Sequence, residues 1–215
     1  MCKRQAERSV VQSDLTQLLC AVLFAERDGI CSELSFVDLW HEARDAMKYD
    51  GNLPVVAHPP CSRWCRLAGL VEKRWGHKRG DDGGCFEAAL GAVRRCGGVL
   101  EHPAYSKAFY EYGLPIPVAG GGWQMGICGG WACYIEQGRY GHPAKKATWL
   151  YCYGIEPPSL DWGLIPDSES THLVSWCGNK VKRTPDRPRL GKKAAIATPP
   201  KFRDELIRMA MSVGT

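Results

Sequence analysis

The chain has 215 residues, a formal net charge of +5, 45% hydrophobic and 24% charged residues. These values describe a soluble globular protein with one sizeable core, or one domain with an appended lobe, and no apolar run approaches a membrane span. The start, Met1-Cys2-Lys3-Arg4-Gln5, has no apolar core behind it, which argues against a secretory signal, and the eleven cysteines therefore read as reduced thiols of a cytoplasmic protein.

In chain order, Val10 to Leu19 predicts a helix with Leu15, Leu18 and Leu19 on one face. Ala21-Val22-Leu23-Phe24-Ala25, Phe36-Val37-Asp38-Leu39 and Val55-Val56-Ala57 read as strands, rich in β-branched and apolar residues. From Cys85 to Arg95 the residues Phe86, Leu90 and Val93 keep i, i+4, i+7 spacing, which predicts an amphipathic helix. Gly97-Gly98 ends it and delivers the chain into the strand Val99-Leu100. Residues 113–143 interleave glycines with Trp123, Trp131, Tyr134 and Tyr140, and predict a small irregular β lobe. Thr148 to Tyr153 is the strongest strand signal, and Phe202 to Met211 predicts a last helix on Phe202, Leu206 and Met209. Strands alternating with helices predict an α/β fold with a mainly parallel sheet. The expected organisation is a catalytic domain over 1–160, a basic proline-rich arm over 161–198 and a C-terminal helix over 199–215.

Two strand ends stand out. Val55-Val56-Ala57 runs into His58-Pro59-Pro60-Cys61, and the prolines force a turn that leaves a thiol at a strand's carboxyl end. In an open α/β sheet that is where ligands and chemistry collect. Gly97-Gly98-Val99-Leu100-Glu101-His102-Pro103 places a carboxylate at an equivalent position. The bland alternatives are a small buried cysteine in a turn and a structural ion pair between Glu101 and Arg139.

Pro59-Pro60-Cys61, Glu101-His102-Pro103 and Gln137-Gly138-Arg139-Tyr140-Gly141 occur in the order seen in DNA cytosine carbon-5 methyltransferases. The chain resembles the compact bacteriophage members of that family, over about Val55 to Gly154. The resemblance implies a Rossmann-like, methyltransferase-like sheet and a cytoplasmic enzyme of an infected bacterial host. It also implies Cys61 as a nucleophile on carbon 6 of a pyrimidine, Glu101 at the ring's N3 edge and Arg139 as the cation that fixes the base. Thiolate addition turns carbon 5 into an enamine-like carbon able to attack an electrophile. Pro60, His58, His102, Gln137, Trp64 and Lys146 are the expected substrate-binding residues, and the base would be flipped out of DNA or already single-stranded. His102 stands where the family usually has asparagine, and His58 where it often has a small residue.

The family also implies S-adenosylmethionine, for which Phe24 and Asp38 are the candidate contacts. Here the sequence departs from the pattern. The first strand runs into Glu26-Arg27-Asp28-Gly29 instead of a glycine-rich loop, and Phe24 and Pro60 are 36 positions apart, against about 30 residues for a single strand–helix–strand unit. Either the cofactor site is pared down, or the enzyme adds, exchanges or removes a substituent on an already modified pyrimidine without that cofactor.

Two further readings come from other classes. Cys61/Cys65 and Cys128/Cys133, with His102 and His142, allow a four-ligand zinc site, although no Cys-x-x-Cys knuckle is present. A non-catalytic relic of the fold would only grip DNA. The cluster Lys73, Arg74, His77, Lys78, Arg79 and the run from Lys180 to Lys193 favour a polyanion, and Lys182, Arg183 and Arg187 are the expected contacts to the DNA backbone in an extended arm.

Overall fold

In the computed structural model of the protein, residues 17–174 and 187–214 are described. The strands are β1 (Cys20–Ala25), β2 (Val37–His41), β3 (Val55–Ala57), β4 (Gly98–Pro103), β5 (Gln124–Met125), β6 (Trp131–Glu136) and β7 (Ala147–Tyr153). The helices are α1 (Ala68–Trp75), α2 (Cys85–Cys96), α3 (Lys107–Glu111), α4 (Lys192–Ile196) and α5 (Pro200–Met211). All seven strands form one sheet in the order β2-β1-β3-β4-β7-β6-β5. The pairings from β2 through β1 and β3 to β4 are parallel, and those from β4 through β7 and β6 to β5 are antiparallel.

The expected α/β class is thus observed, but the sheet is mixed: parallel in its first part and antiparallel in its second. Residues 113–143 do not form a separate lobe. Trp131-Ala132-Cys133-Tyr134-Ile135-Glu136 extends the main sheet, because Ala132 and Tyr134 bury on one face while Cys133 and Ile135 bury on the other. Of the expected helix over Val10–Leu19, residues 10–16 lie outside the described residues, and 17–19 are not helical. Among the described residues no helix is long and apolar enough to cross a membrane.

The pleat sorts the core into two layers. Ala21, Leu23, Val55, Ala57, Leu100, Trp149 and Tyr151 pack against α2 and α3 through Phe86, Leu90, Val93 and Phe109. Cys20, Val22, Val56, Val99, Leu150 and Cys152 pack on the other side against Phe202, Leu206 and Met209 of α5. Those three α5 side chains are at most 1% exposed, and burial of each such side chain contributes about 1.5–3 kcal/mol. The α5 layer ends short of the strands' carboxyl ends, where the same face opens into a cleft.

Two backbone positions set the geometry of that edge. Gly98 has φ +126°, and a Cβ there would lie 2.0 Å from the Val55 carbonyl oxygen, so only glycine lets β4 pair this closely with β3. Phe24 has φ +59° and coincides with the register shift between β1 and β2. This bulge inverts the alternation: Phe24 packs with the α2 layer and Ala25 with the α5 layer, opposite to what continued pleating from Val22 and Leu23 would give. A non-glycine residue at positive φ is costly to hold, and such positions cluster at functional sites.

Candidate functional site

The strand order turns back between β1 and β3: β1 is followed in sequence by β2 on one side, and β3 by β4 on the other. That switch point, at the carboxyl ends of the parallel strands, is the usual place for a ligand in an open α/β sheet. The cleft there is lined by Phe24, Glu26, His58, Pro60, Cys61 and Glu101 from the parallel strands, and by Lys145, Lys146 and Thr148 from β7 and the turn before it.

Strand parity explains which side chains meet. His58 follows Val56 by two residues, Glu101 follows Val99 by two, and Thr148 and Lys146 precede Leu150 by two and four. Gln137 follows Ile135 by two. Val56, Val99, Leu150 and Ile135 all belong to the α5 face, so Glu101 and Thr148 project to that face. His58, Gln137 and Lys146, just outside the strand ends, join them there: His58 and Gln137 through hydrogen bonds to Glu101, and Lys146 through its charge on Glu101.

Glu101 is the centre of the resulting network. His58 Nδ1 donates to its Oε2 at 3.2 Å, and Gln137 Nε2 donates to its Oε1 at 3.1 Å. Gln137 Nε2 also donates to Thr148 Oγ1 at 3.0 Å, and the Thr148 hydroxyl donates to the Lys146 carbonyl oxygen at 3.0 Å. Burial alone would push the Glu101 carboxyl up. The hydrogen bond and charge of His58, together with the Lys146 ammonium and His102, outweigh it and hold the carboxyl below its ordinary value. Glu101 is therefore an ionised acceptor.

Cys61 is partly buried at the head of the turn after β3. Its carbonyl oxygen accepts the N–H groups of Trp64 at 3.0 Å and Cys65 at 2.9 Å, which fixes the thiol at the start of a helical turn. Burial raises the thiol pKa, Cys65 and Glu101 raise it further, and Lys146 opposes them. At rest Cys61 is a thiol, so a nucleophilic role needs a base. His58, three residues away on the same cleft wall, is the candidate for that role, with Nδ1 committed to Glu101 and no partner on Nε2 among the described residues.

Several expected site residues take other positions. Arg139 does not face the cleft. It is exposed, and its Nε and Nη2 donate to the carbonyl oxygens of Gly163 (3.0 Å) and Leu164 (3.1 Å). The cause is local: Gln137–Tyr140 is a 3-10 turn, in which residues two apart point in different directions, so Gln137 inward means Arg139 outward. The cation facing Cys61 and Glu101 is Lys146, whose pKa burial lowers while Glu101 and Cys61 oppose the shift. Two of its ammonium hydrogens go to the carbonyl oxygens of Ile196 (2.8 Å) and Ala197 (2.7 Å), leaving one for the cleft.

His102 and Trp64 are buried supports. His102 is fully buried on the α2 face, edge-on to Phe86, because the pleat turns it away from its neighbour Glu101. Ser106 Oγ lies 2.7 Å from its Nδ1 and accepts the Ala108 N–H at 3.2 Å. Its Nε2 is aimed at the Pro59 and Pro60 carbonyls without meeting hydrogen-bond geometry. Trp64 is 5% exposed and donates Nε1 to Asp82 Oδ2 at 2.7 Å, while Asp82 also accepts the Gly84 and Phe86 N–H groups at the start of α2. Both residues hold the Pro59–Cys61 turn from behind; neither is placed to stack on a ligand. Pro60 is exposed on the cleft wall. Thr148 and Ser106, which orient Gln137 and His102, carry no motif that marks them in the sequence, although the parity of Thr148 with Leu150 is readable there.

The expected arm also differs. Lys182 and Arg183 lie outside the described residues. Arg187 is turned inward, with Nη1 donating to the carbonyl oxygens of Asp167 (2.7 Å) and Ser170 (3.3 Å), so it is a structural anchor and not a free phosphate contact. Asp167 also pairs with Lys145 at 2.7 Å. Lys192 and Lys193 begin the short helix α4 instead of continuing an extended arm; with Arg189 they remain exposed at the cleft rim, with no ion-pair partner among the described residues.

The residues of the alternative zinc reading do not assemble into a site among the described residues. Cys61 and Cys65 share one turn, Cys133 is buried under the α5 layer and Cys128 is exposed. Among the described residues no group of three or more His, Cys, Asp or Glu side chains is placed to hold a metal. All described cysteines are free.

The residues present do not fit S-adenosylmethionine in the way the resemblance implies. Asp38, the candidate ribose acid, is paired with Arg44 and accepts Trp40 Nε1–H at 2.8 Å, and it is not part of the cleft. Phe24 does line the cleft, but the loop after it presents Glu26 and Asp28 with the single glycine Gly29. Comparison of the chain with protein-family models, curated proteins and solved structures returned no match.

Proposed function

We propose that this chain is a DNA pyrimidine-modifying enzyme in which Cys61 adds to carbon 6 of the base and so activates carbon 5. The observation that carries the proposal is the convergence of Cys61, His58, Glu101 and Lys146 on one cleft at the carboxyl ends of the adjacent strands β3 and β4. Each has a role. His58, oriented by Glu101, accepts the Cys61 proton through Nε2, as a carboxylate-oriented imidazole does. The thiolate forms the bond to carbon 6, and the displaced π pair moves toward the ring's carbonyl oxygen, where the Lys146 ammonium meets the developing charge. Glu101 contacts the ring edge.

The reading of the sheet as Rossmann-like and methyltransferase-like draws support from the reversal of strand order between β1 and β3. S-adenosylmethionine fits poorly at Asp38, which is paired with Arg44, and at Glu26. The second reading, chemistry on an already modified base without that cofactor, is favoured by those same two residues. The exposed Arg189, Lys192 and Lys193 supply charge for a phosphate backbone at the rim.

The test is covalent trapping. An oligonucleotide containing a 5-fluoropyrimidine, whose fluorine blocks the release step once carbon 5 is substituted, is expected to form a denaturation-resistant adduct with the protein, Cys61→Ala to abolish it and Cys65→Ala to retain it. Equal trapping by Cys61→Ala would overturn the assignment of the nucleophile.

A further inference from the structure

The protonation pattern around Glu101 discriminates between pyrimidines. The two rings differ at N3: a uracil-type ring carries a hydrogen there and is a donor, whereas cytosine presents a lone pair and is an acceptor. A residue that serves cytosine N3 must bring a hydrogen of its own. Both oxygens of Glu101 instead already accept, Oε2 from His58 Nδ1 at 3.2 Å and Oε1 from Gln137 Nε2 at 3.1 Å. The Gln137 amide cannot give up its place, because the same Nε2 bonds Thr148 Oγ1 and the side chain is fully buried. Between a carboxyl and an imidazole, the shared hydrogen belongs on the imidazole. Glu101 therefore meets a ligand with lone pairs only, and the lone pairs left over face the cleft, where the side chain keeps 13% exposure.

Across the cleft Lys146 has one ammonium hydrogen left after Ile196 and Ala197, and an ammonium only donates. The site thus offers one acceptor and one donor.

We infer that the base this site takes is of the uracil type, with N3–H donated to Glu101 and a ring carbonyl oxygen accepting from Lys146, and not cytosine. The inference rests on the proposed role of Cys61 and on Glu101 lying at the N3 edge of the ring. It departs from the cytosine substrate that the resemblance implies, and it gives His58 a second role. Besides the base role proposed for it, His58 keeps Glu101 supplied with a donor so that the carboxylate stays ionised. A cytosine bound in the same pose sets its N3 lone pair against the carboxylate, a mismatch of unpaired buried polar groups worth roughly 10²-fold in rate.

The chemistry that tests this needs no group beyond water. Cys61 loses its proton to His58 Nε2 and bonds to carbon 6, the carbon 5–carbon 6 π pair moves onto the carbon 5–carbonyl system, and carbon 5 takes a deuteron from deuterated solvent. Reversal removes the original proton from carbon 5, restores the double bond and breaks the carbon–sulfur bond. The sequence is redox-neutral, and the net change is exchange of the carbon 5 hydrogen. The probes are single-stranded and mismatched-duplex oligonucleotides carrying either deoxyuridine or deoxycytidine, incubated with the full-length protein in D2O and read by the mass of the released nucleosides.

Exchange in deoxyuridine exceeding that in deoxycytidine by at least about tenfold is the expected result. Exchange in deoxycytidine at an equal or higher rate overturns the inference while leaving Cys61 as nucleophile. Exchange in neither overturns the underlying nucleophile reading. Glu101→Gln supplies the internal control: an amide can present N–H to N3, so the ratio between the two bases is expected to collapse toward one, whereas a purely structural role for Glu101 would lower both rates together and leave the ratio unchanged.

Discussion

Mild acid should loosen this protein through one residue, His102. In the native structure burial holds its pKa down to about 4, against an ordinary histidine value of 6.5, with the Glu101 charge and the carbonyls of Pro60 and Pro59 only partly opposing the shift. A histidine whose native pKa lies below its unfolded one binds more protons unfolded than folded, so its contribution to stability is complete above pH 6.5 and is lost as the pH falls toward 4. Between pH 7 and pH 5 the two values give a loss of about 2 kcal/mol. Carboxylates contribute little in that window: Glu101, with its pKa lowered from 4.5, loses its stabilising contribution only at more acidic pH. His142, also lowered by burial, acts in the same direction, so the wild type must be measured against a variant. His102→Asn keeps a polar side chain beside Ser106 and cannot titrate. Urea unfolding of both proteins at pH 7 and pH 5 is expected to show the wild type losing about 2 kcal/mol more than the variant across the interval. Equal losses would mean that His102 is not held neutral in the native state, and the account of a neutral imidazole supporting the Pro59–Pro60 turn would fall with it.

Two glycines in neighbouring elements should respond with opposite sign. Gly98→Ala forces a Cβ onto the Val55 carbonyl oxygen at positive φ and is expected to cost about 3 kcal/mol or more, a fall in Tm of roughly 6–12 °C for a chain of this size; an unchanged Tm by calorimetry would refute the close β3–β4 pairing. Gly91→Ala, inside α2 with open space at its Cβ position, is expected to stabilise by about 0.5–1 kcal/mol. The reassignment of the cation is tested by rates of adduct formation with the 5-fluoropyrimidine probe. Lys146→Met should slow it by about 10²-fold and move the pH profile of Cys61 alkylation to higher pH, whereas Arg139→Met, on the exposed side of its turn, should change the rate by no more than about twofold. The reverse ranking would restore Arg139 to the site.

Much of the fold is legible because this chain follows the simple periodicities. The strands around Val22, Val56 and Leu150 and the helices over Phe86–Val93 and Phe202–Met209 emerge where sequence predicts them, since each buries its apolar face against the sheet. The second half of the sheet is less legible. Apart from Thr148–Tyr153, its glycine and tryptophan content predicts only a small irregular β lobe, and the strand Trp131–Glu136 shows its regularity only when Ala132 and Tyr134 are recognised as facing one layer and Cys133 and Ile135 the other. Helix α1 buries only Ala68 and α3 has five residues, so neither leaves the stripe of apolar residues that periodicity detects.

The site is legible as a set of strand ends but not as a set of side chains, and parity is the reason. Adjacent residues of a strand face opposite layers, so Glu101 and His102, which look like a pair in sequence, divide into an ionised group in the cleft and a neutral support beneath it. The site also brings together residues with no sequence relation: parity sets Glu101 and Thr148 on the α5 face, and His58, Gln137 and Lys146 reach them from the turns at the strand ends. Arg139 is misplaced when Gln137-Gly138-Arg139 is treated as a unit, because in a 3-10 turn residues two apart point in different directions. The loss of Arg139 and the arrival of Lys146 change the chemistry as well as the roster. A guanidinium brings a planar, bidentate fork, whereas an ammonium anchored to two carbonyls offers a single directed hydrogen. A site with one donor and one ionised acceptor is selective by hydrogen-bond pattern more than by shape, and that selectivity depends on His58 remaining on Glu101.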